Sequence, residues 1–495
     1  MATPDRRSRP RPDSTSPDEQ WGAVVVGGGV AGLVAARELV RAGVPTLVLE
    51  GRDAAGGSVR GHEVAGLRLD AGAESFATRG GAVAALLEEL GLGDALRVPQ
   101  TVGSWAHLPG KDGPLPRTGV LGIPARPWAA DVRATLGLGG ALRASLDLVL
   151  PASVGKDAAS LGALVTARMG RRVVERLVQP IVGGVHAADP DDLAVDAVAP
   201  GLQAARAAAR GSLARAVQAM RAAAPAGAAV QGVDGGMFRM VDALVADVEA
   251  HGGQVRTRSR VRALAPQPDG STRVLLDDAT VQTPRLVLAT PAAGELLQAA
   301  RVADLSAARP DDGARVTLVT LVVDCPALDA APRGTGVLVA PGATDVQAKA
   351  LTHATAKWAW LRRDVPADRH VVRLSYGRAG ADNRQGAGGR KDGEQSPLTV
   401  PVREGDDAVL VEQAVRDASV LLGVPLTAEQ VVGTAVVRWT QALPRPSATH
   451  REAVAAVRAA VADLPGVAVC GAWADGNGLA SVVPAARAAA RSLQD

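Results

Sequence analysis

Aromatic side chains are scarce in this sequence. Phe, Trp and Tyr make up 2% of its 495 residues, and there is a single Tyr. Proteins that bind nucleic acid usually stack bases on aromatic rings and follow the phosphates with dense positive charge. The net charge here is only +3. The composition therefore argues against nucleic acid as a partner.

Cysteine is nearly absent, because the chain holds only Cys325 and Cys470. The two are far apart and form neither a CxxC motif nor a zinc-binding spacing, so no metal is predicted. We interpret both as small, buried, apolar side chains. Low cysteine use is typical of a reducing compartment and predicts a cytoplasmic location.

Long apolar runs are missing as well. No stretch approaches the roughly 18 to 20 apolar residues of a membrane-spanning helix, so at most a peripheral membrane contact is expected. Residues 1–20 are polar and rich in Pro, Arg and Asp, without the apolar centre of a signal peptide. We predict a disordered tail there.

Glycine is abundant, and one glycine-rich stretch has an ordered pattern. The apolar run AVVV is followed by GGGVAG, a helical segment and a second strand that ends at Glu50. In such a unit Gly27 permits the tight turn, Gly29 lets the backbone approach a pyrophosphate, and Gly32 lets the helix pack on the strand. The helix N-terminus points N–H groups at phosphates, and Glu50 is placed to bind a ribose hydroxyl. The stretch predicts a dinucleotide site.

Three further features favour FAD over NAD. The glycine pair Gly56 and Gly57 follows the acid closely, as in two-domain flavoproteins. No second GxGxxG has a strand and helix around it, which argues against a nicotinamide donor site. Near the C-terminus, AWADGNGLA follows a strand and precedes a helix, so a second helix N-terminus is expected at the cofactor.

The hydrophobic pattern predicts an α/β fold with a Rossmann-like FAD-binding domain. The predicted FAD-binding domain comprises 21–90, 226–300 and 431–495; the helical insert spans 91–225, and the β-rich substrate-binding domain spans 301–430. Within these, we expect a loop over 108–128, one continuous strand over 254–264 that contains Val261, and β structure over 348–360. A polar, Gly-rich mobile loop is expected at 377–398.

Beyond these patterns, the chain resembles the flavin-containing porphyrinogen oxidases of haem biosynthesis, most closely the coproporphyrinogen-oxidising type of Gram-positive bacteria. The segments that carry the resemblance are VVVGGGVAGLVAA, LDAGAESF, GIPARP, LDLVLPAS, SLGALVTARMGRRVVERLVQPIVGGVHAADPDDLAV, VVRWTQALP and VCGAWADGNGLASVV. The first is common to many flavoproteins. The SLGALV segment lies in the helical insert and is more specific, since amine oxidases and carotene desaturases differ there.

The resemblance implies a set of flavin contacts by matching position. They are Gly27, Gly28, Gly29, Val30, Ala31, Gly32, Glu50, Gly51, Ser58, Gly72, Ala73, Glu74, Ser75, Val261, Trp439, Asn477, Gly478 and Leu479. Arg79 matches an arginine that faces a substrate propionate. Three positions depart from the family pattern: Ser58 replaces Lys or Arg, His186 replaces Tyr or Phe, and Pro446 replaces Tyr.

The activity implied by the resemblance is the six-electron oxidation of coproporphyrinogen III, with FAD as cofactor, molecular oxygen as acceptor and hydrogen peroxide as by-product. A transient contact with a ferrochelatase is implied in the same way. Because aromatisation of the ring drives proton loss, we assign no catalytic residue. Protoporphyrinogen IX is an alternative substrate that the sequence does not separate.

Three other functions stay open on the sequence. An amine oxidase would frame its substrate between aromatic rings, for which the chain offers only Phe76, Phe238 and Tyr376 besides tryptophans. A carotene desaturase would need an apolar tunnel that opens to a membrane. A carrier of flavin or tetrapyrrole without turnover is the remaining alternative, because a fold alone does not establish catalysis.

Overall fold

The computed structural model describes residues 19–117, 119–186, 189–223, 229–306, 314–377, 406–443 and 448–494. Most of the predicted tail, the part of the predicted loop that follows Gly377, and Pro446 lie outside these ranges, and so does the side chain of His186. The predicted tail is too long by two residues, because Glu19–Gln20 forms a short strand beside Thr280–Thr283. None of the described helices has both the length and the apolar character needed to cross a bilayer.

A five-stranded parallel sheet forms the first layer. Its strands, in spatial order, are Gln254–Arg256, Thr46–Leu49, Ala23–Val26, Leu286–Leu288 and Val467–Val469. The side chains of Ala23–Val26 alternate between two apolar clusters, so both faces of the sheet are covered. Parallel sheets need this double cover, which explains the uninterrupted run AVVV.

Helices and a small sheet supply that cover. On one face lie Val30–Arg41, Ala82–Glu89, Phe238–Ala250 and Leu479–Arg491. On the other face lie Ala293–Ala299, Ala448–Ala462 and the four-stranded sheet of Glu19–Gln20, Thr280–Thr283, Thr272–Leu275 and Ala263–Pro266. The predicted α/β fold class is confirmed.

A seven-stranded sheet forms the second layer. Its order is Val431–Leu443, Ala314–Asp324, Arg369–Tyr376, Ala350–His353, Gly336–Val339, Trp105–Leu108 and Lys111–Pro114. One face packs on the helix Asp407–Leu422, through residues such as Val319 and Leu321. The opposite face looks toward the first layer.

This sheet corrects two predictions. The strand Lys111–Pro114 begins the segment predicted as a loop and pairs with Trp105–Leu108, which belongs to this sheet and not to a helical insert. Val431–Leu443 pairs with Ala314–Asp324 and so extends the second sheet, although the predicted boundary assigned it to the first domain. Both errors concern pairing between distant segments, which local hydrophobic pattern does not specify.

Seven further helices pack around a separate apolar cluster. They are Ala130–Ser145, Leu161–Met169, Arg171–Val173, Gln179–His186, Val195–Val198, Leu202–Ala208 and Leu213–Ala223, with a π-helical segment at Val174–Val178. The apolar spacing predicts one continuous helix over 202–222, but this prediction is wrong, because Arg210 and Gly211 adopt positive φ and interrupt the helix. Two short helices, Ala354–Lys357 and Ala359–Asp364, replace most of the β structure expected over 348–360.

The smaller pieces complete the chain. A three-stranded sheet joins Phe76–Ala77, Val230–Val233 and Leu96–Arg97, and two hairpins pair Gly61–Val64 with Leu67–Asp70 and Gly119–Val120 with Ile123–Pro124. The predicted strand over 254–264 is two strands, because Arg258 adopts a positive φ between them. Val261 therefore lies in a connection and not inside a strand.

Candidate functional site

A cavity of about 1530 Å³ lies between the two sheets. Val26 and Leu49, the last residues of two parallel strands, line one side, and Val316 and Leu318 of the second sheet line the other. The carboxyl ends of parallel strands are the usual place for a ligand in an open α/β sheet. The cavity is thus positioned where the sequence predicted a nucleotide.

The first glycine turn leaves no room for a side chain at Gly27 or Gly32. A Cβ on Gly32 would lie 1.9 Å from the carbonyl oxygen of Gly27, and a Cβ on Gly27, whose φ is 106°, would lie 2.6 Å from that of Ala289. Gly29 differs, because a Cβ there would meet nothing within 4 Å. It lines the cavity. Gly27 and Gly32 are therefore needed by the fold, whereas Gly29 keeps space open for a ligand.

The Glu50 carboxylate is held over this turn by two backbone groups. Gly28 N–H donates to Oε2 and Arg52 N–H donates to Oε1, both at 2.8 Å. The glycine pair lies alongside: Gly56 N–H donates to the carbonyl of Gly28 at 2.7 Å. Each carboxylate oxygen keeps lone pairs for further donors, which suits a ribose diol.

The turn from Gly72 to Ser75 forms another part of the cavity wall. A Cβ on Gly72 would lie 2.1 Å from the carbonyl oxygen of Ser58, and Ala73 N–H donates to the same oxygen at 2.9 Å. Trp439 closes this region, with its Nε1 donating to the carbonyl of Ala71 at 3.2 Å. The backbone of the Gly72 to Ser75 turn and the ring of Trp439 together form this part of the cavity wall.

Two arginines lie over the ring of Trp439. The Arg60 guanidinium is 5.2 Å and the Arg52 guanidinium 5.8 Å from the ring centroid. Ser58, at the position where the resemblance implies a cation, is on the cavity wall nearby. Positive charge therefore reaches this region from residues on either side of Ser58.

A second helix N-terminus opens on the cavity. Gly478, with φ 99°, precedes the helix Leu479–Arg491, and Asn477, Gly478 and Leu479 all line the cavity. Together with the start of Val30–Arg41, two helix dipoles present their positive ends to it. Such ends stabilise anionic groups, including phosphates.

Most of the predicted cofactor residues share this one cavity. Those that line it are Gly27, Gly29, Val30, Ala31, Glu50, Gly51, Ser58, Gly72, Ala73, Ser75, Val261, Trp439, Asn477, Gly478 and Leu479. Gly28 and Gly32 belong to the same glycine turn but do not line the cavity. The side chain of Glu74 is turned toward the second sheet, where it pairs with Lys357 and Arg373. Arg79 is exposed and does not line the cavity, so its propionate contact stays a prediction.

The residues fit FAD. Three glycines stand where a Cβ would collide with backbone or intrude on the cavity, a carboxylate is oriented at the end of the second strand, and two helix N-termini face the same space. The same cavity reaches Val316 and Leu318 of the second sheet.

Comparison with known proteins decides the family. Residues 30–493 match the model for flavin-containing amine oxidoreductases. The chain belongs to this family. It is an oxidoreductase with FAD as cofactor, as predicted.

The matches to individual relatives cover nearly the whole chain. A coproporphyrinogen III oxidase of Mycobacterium leprae is 32% identical over 95% of this chain and 97% of its own length. A structure assigned as a protoporphyrinogen oxidase from Exiguobacterium is 25% identical, with TM-score 0.78 over 96% of this chain and 98% of its own. A putrescine oxidase, 17% identical with TM-score 0.60 over 97% and 98% of the two chains, shares the fold.

The sequence missed the contribution of the second sheet to the cavity of this flavoprotein. Lys349 and Ser375 both line it, and Lys349 N–H donates to the carbonyl of Ser375 at 2.8 Å. Lys349 is buried. No sequence motif indicates either residue, because both are placed at the cavity by pairing between separate segments of the chain. An alternation pattern on the strand Arg369–Tyr376 is the one signal that could have indicated Ser375.

Asp70 stands behind the Gly72 turn and connects it to a helix. Its carboxylate accepts the backbone N–H groups of Met237 and Phe238, each at 3.0 Å, at the start of Phe238–Ala250. Burial raises the pKa of Asp70 to about 7, although these hydrogen bonds and Arg373 favour the charged form. The group therefore changes charge near neutral pH.

A pH dependence of stability follows. The ordinary pKa of Asp70 is 3.8, so the folded protein holds this proton more tightly than the unfolded chain does. The stabilisation is complete below pH 3.8 and is lost as the pH rises through about 7. We expect the free energy of unfolding of wild type to fall relative to that of Asp70→Asn between pH 5 and 8, measured by urea denaturation. Asp242→Asn, at an exposed site, is the control; parallel profiles of wild type and Asp70→Asn would contradict the assignment.

Proposed function

We propose that this protein oxidises coproporphyrinogen III to coproporphyrin III. The observation that carries the proposal is the match to the Mycobacterium leprae coproporphyrinogen III oxidase across 95% of this chain, which includes the helical cluster as well as the nucleotide-binding sheet. A match confined to the nucleotide sheet would support only a flavoprotein. The cavity adds support, since it is shared by the nucleotide turn and the second sheet.

The chemistry proposed is the removal of six electrons and six protons from the porphyrinogen. When bound, FAD supplies the two-electron acceptor, and three rounds of reoxidation by molecular oxygen, each releasing hydrogen peroxide, account for the six electrons. The proposal assigns no protein base, because aromatisation of the macrocycle favours loss of the protons.

The chain itself would bind and orient. Glu50 and the glycine turn would hold the adenosine and pyrophosphate, while the Gly72 to Ser75 turn and Trp439 would border the flavin. Val316 and Leu318 provide an apolar wall for a tetrapyrrole ring. Lys349 brings positive charge to the same side, which suits a substrate that carries four propionates.

An anaerobic experiment tests the proposal. The purified holoprotein, mixed in excess with coproporphyrinogen III without oxygen, should lose its yellow flavin absorbance and form one fluorescent porphyrin for every three flavins reduced, because each FAD accepts two of the six electrons. Admission of oxygen should restore the flavin band and release hydrogen peroxide. A flavin spectrum that stays unchanged would reject the oxidase and favour a carrier.

Protoporphyrinogen IX is the second candidate substrate. The 25% identical structure from Exiguobacterium is assigned as a protoporphyrinogen oxidase and superposes with TM-score 0.78. Parallel kcat/KM measurements with both porphyrinogens should favour coproporphyrinogen III; the opposite order would move the assignment to protoporphyrinogen IX.

An amine oxidase is less well supported by the cavity. Tyr376 lies on the face of the second sheet away from it, where its hydroxyl donates to Asp417 at 3.1 Å in the core beside the helix Asp407–Leu422. Phe238 packs against the nucleotide sheet. Among the described residues, the aromatic side chains that line the cavity are Phe76, Trp439 and Trp473. Two of the three aromatic residues considered for such a cage, Phe238 and Tyr376, thus pack away from the cavity.

Arg79 allows a separate test of substrate contact. If it binds a propionate, Arg79→Ala should raise KM for coproporphyrinogen III by roughly 10-fold with little change in kcat, as loss of one charge-assisted pair predicts. Arg416→Ala is the matched control, because Arg416 is exposed on the helix behind the second sheet. Equal KM values for wild type and Arg79→Ala would remove the propionate assignment.

A further inference from the structure

Arg373 connects the second sheet to the cavity wall of the first. It lies on the strand Arg369–Tyr376, on the face that looks toward the nucleotide domain. Its guanidinium donates to the carbonyl of Gly72 at 2.7 Å and to that of Asp70 at 3.2 Å. A third contact, at 3.1 Å, is with the carboxylate of Glu74. The Arg373 side chain therefore binds three residues at or beside the turn: Asp70, Gly72 and Glu74.

Glu74 is the counter-ion in this arrangement. Its carboxylate pairs with both Arg373 and Lys357, and the side chains of Glu74, Arg373 and Lys357 are 13%, 14% and 17% exposed. Burial would raise the pKa of Glu74, but the two cations outweigh burial and lower it to about 2. The carboxylate is thus ionised at neutral pH, and the cluster is shielded from solvent.

The contacts fix the backbone that borders the cavity. The Gly72 carbonyl is bound by Arg373, and Ala73 N–H is bound by the carbonyl of Ser58 at 2.9 Å. Gly72, Ala73 and Ser75 line the cavity, whereas the Glu74 side chain points to the cations. The turn is therefore clamped from behind, with its cavity side left for a ligand.

We propose that Arg373 is a positioning residue for the flavin, with Glu74 as the counter-ion that tunes its charge. The inference rests on the proposed placement of FAD in this cavity. Arg373 acts in two ways: it holds the Gly72 to Ser75 turn in one conformation, and it brings positive charge behind that turn. Positive charge near a flavin favours the reduced, more negative state of the cofactor, so Arg373 raises the midpoint potential and Glu74 lowers it.

Three variants separate the two effects. Arg373→Met should weaken FAD binding about 10-fold and lower the flavin midpoint potential, and Glu74→Gln should raise the potential. Arg373→Lys keeps the charge but cannot reach all three acceptors, so it should weaken FAD binding with a smaller change in potential. Arg369→Met is the matched control on the same strand, because Arg369 pairs there with the partly exposed Asp324.

The readouts are FAD affinity by fluorescence titration, flavin midpoint potential by spectroelectrochemistry and visible circular dichroism of bound FAD. Opposite shifts for Arg373→Met and Glu74→Gln, with none for Arg369→Met, would support the proposal, since mere loosening of the fold would move both in the same direction. Wild-type affinity, potential and dichroism in all variants would overturn it. These measurements use no porphyrinogen. The positioning role of Arg373 can therefore fail its test while the proposed oxidase activity passes, and the oxidase activity can fail while the role of Arg373 is supported.

Discussion

Gly29→Ala is expected to weaken FAD binding by roughly 100-fold while leaving the fold intact. A Cβ on Gly29 meets nothing within 4 Å and would project into the cavity, where the pyrophosphate is proposed to lie. The new methyl group would exclude the backbone approach that the middle glycine of the motif permits. Fluorescence titration of the apoprotein with FAD measures the change in affinity, and thermal unfolding of the apoprotein measures whether the fold is intact.

Two other glycines give the contrast. Gly183, within the helix Gln179–His186, also has nothing within 4 Å of its Cβ position; Gly183→Ala should keep wild-type FAD affinity. Gly32→Ala places its Cβ 1.9 Å from a carbonyl oxygen and should destabilise the apoprotein itself. If Gly29→Ala bound FAD as tightly as wild type, the pyrophosphate would have to be placed elsewhere in the cavity.

Arg168→Met is expected to lower the free energy of unfolding by about 3–5 kcal/mol, the usual cost of removing one partner from a buried ion pair. Arg168 and Asp147 are both 0% exposed, and Arg168 Nε donates to the Asp147 carboxylate at 2.7 Å. Asp147 also accepts the N–H groups of Leu213 and Ala214, at 3.0 and 2.8 Å, at the start of Leu213–Ala223. The variant would leave a buried carboxylate without its cation.

Urea denaturation of the purified protein tests this expectation. Arg171→Met is the matched control. Arg171 comes just after the helix Leu161–Met169, which contains Arg168. It is 52% exposed and pairs with Glu175 and Asp191 at the surface. Exposed pairs contribute roughly 0–1 kcal/mol. Equal unfolding midpoints for Arg168→Met and Arg171→Met would show that the buried pair adds nothing beyond a surface one.

The nucleotide turn could be predicted from the sequence because its requirements are local. The positive φ at Gly27 and the close approach at Gly32 arise within six residues, and Glu50 follows at the end of the next strand. The sequence pattern predicts the terminal helix over Pro484–Leu493, because proline suits the first turn of a helix. That start is wrong, since the helix begins at Leu479 and has Pro484 inside it.

The second side of the cavity could not be predicted in this way. Trp105–Leu108 joins Gly336–Val339, and Arg373 reaches Gly72 across 301 residues of chain. Such pairs depend on which sheet faces meet, and no local signal near either partner encodes that choice. Arg79 shows the converse: a motif match named it, yet the structure leaves it exposed.

By itself, the sequence predicted a dinucleotide site at the glycine turn and showed the resemblance to the porphyrinogen-oxidising flavoproteins, because spacing and backbone freedom are properties of neighbouring residues. Only the tertiary structure decided which residues of the second sheet border the cavity. Ser375, on the strand Arg369–Tyr376, and Lys349, just before the strand Ala350–His353, line the cavity, while Arg373 binds the Gly72 carbonyl behind its wall. Their positions depend on the sum of many contacts between distant segments.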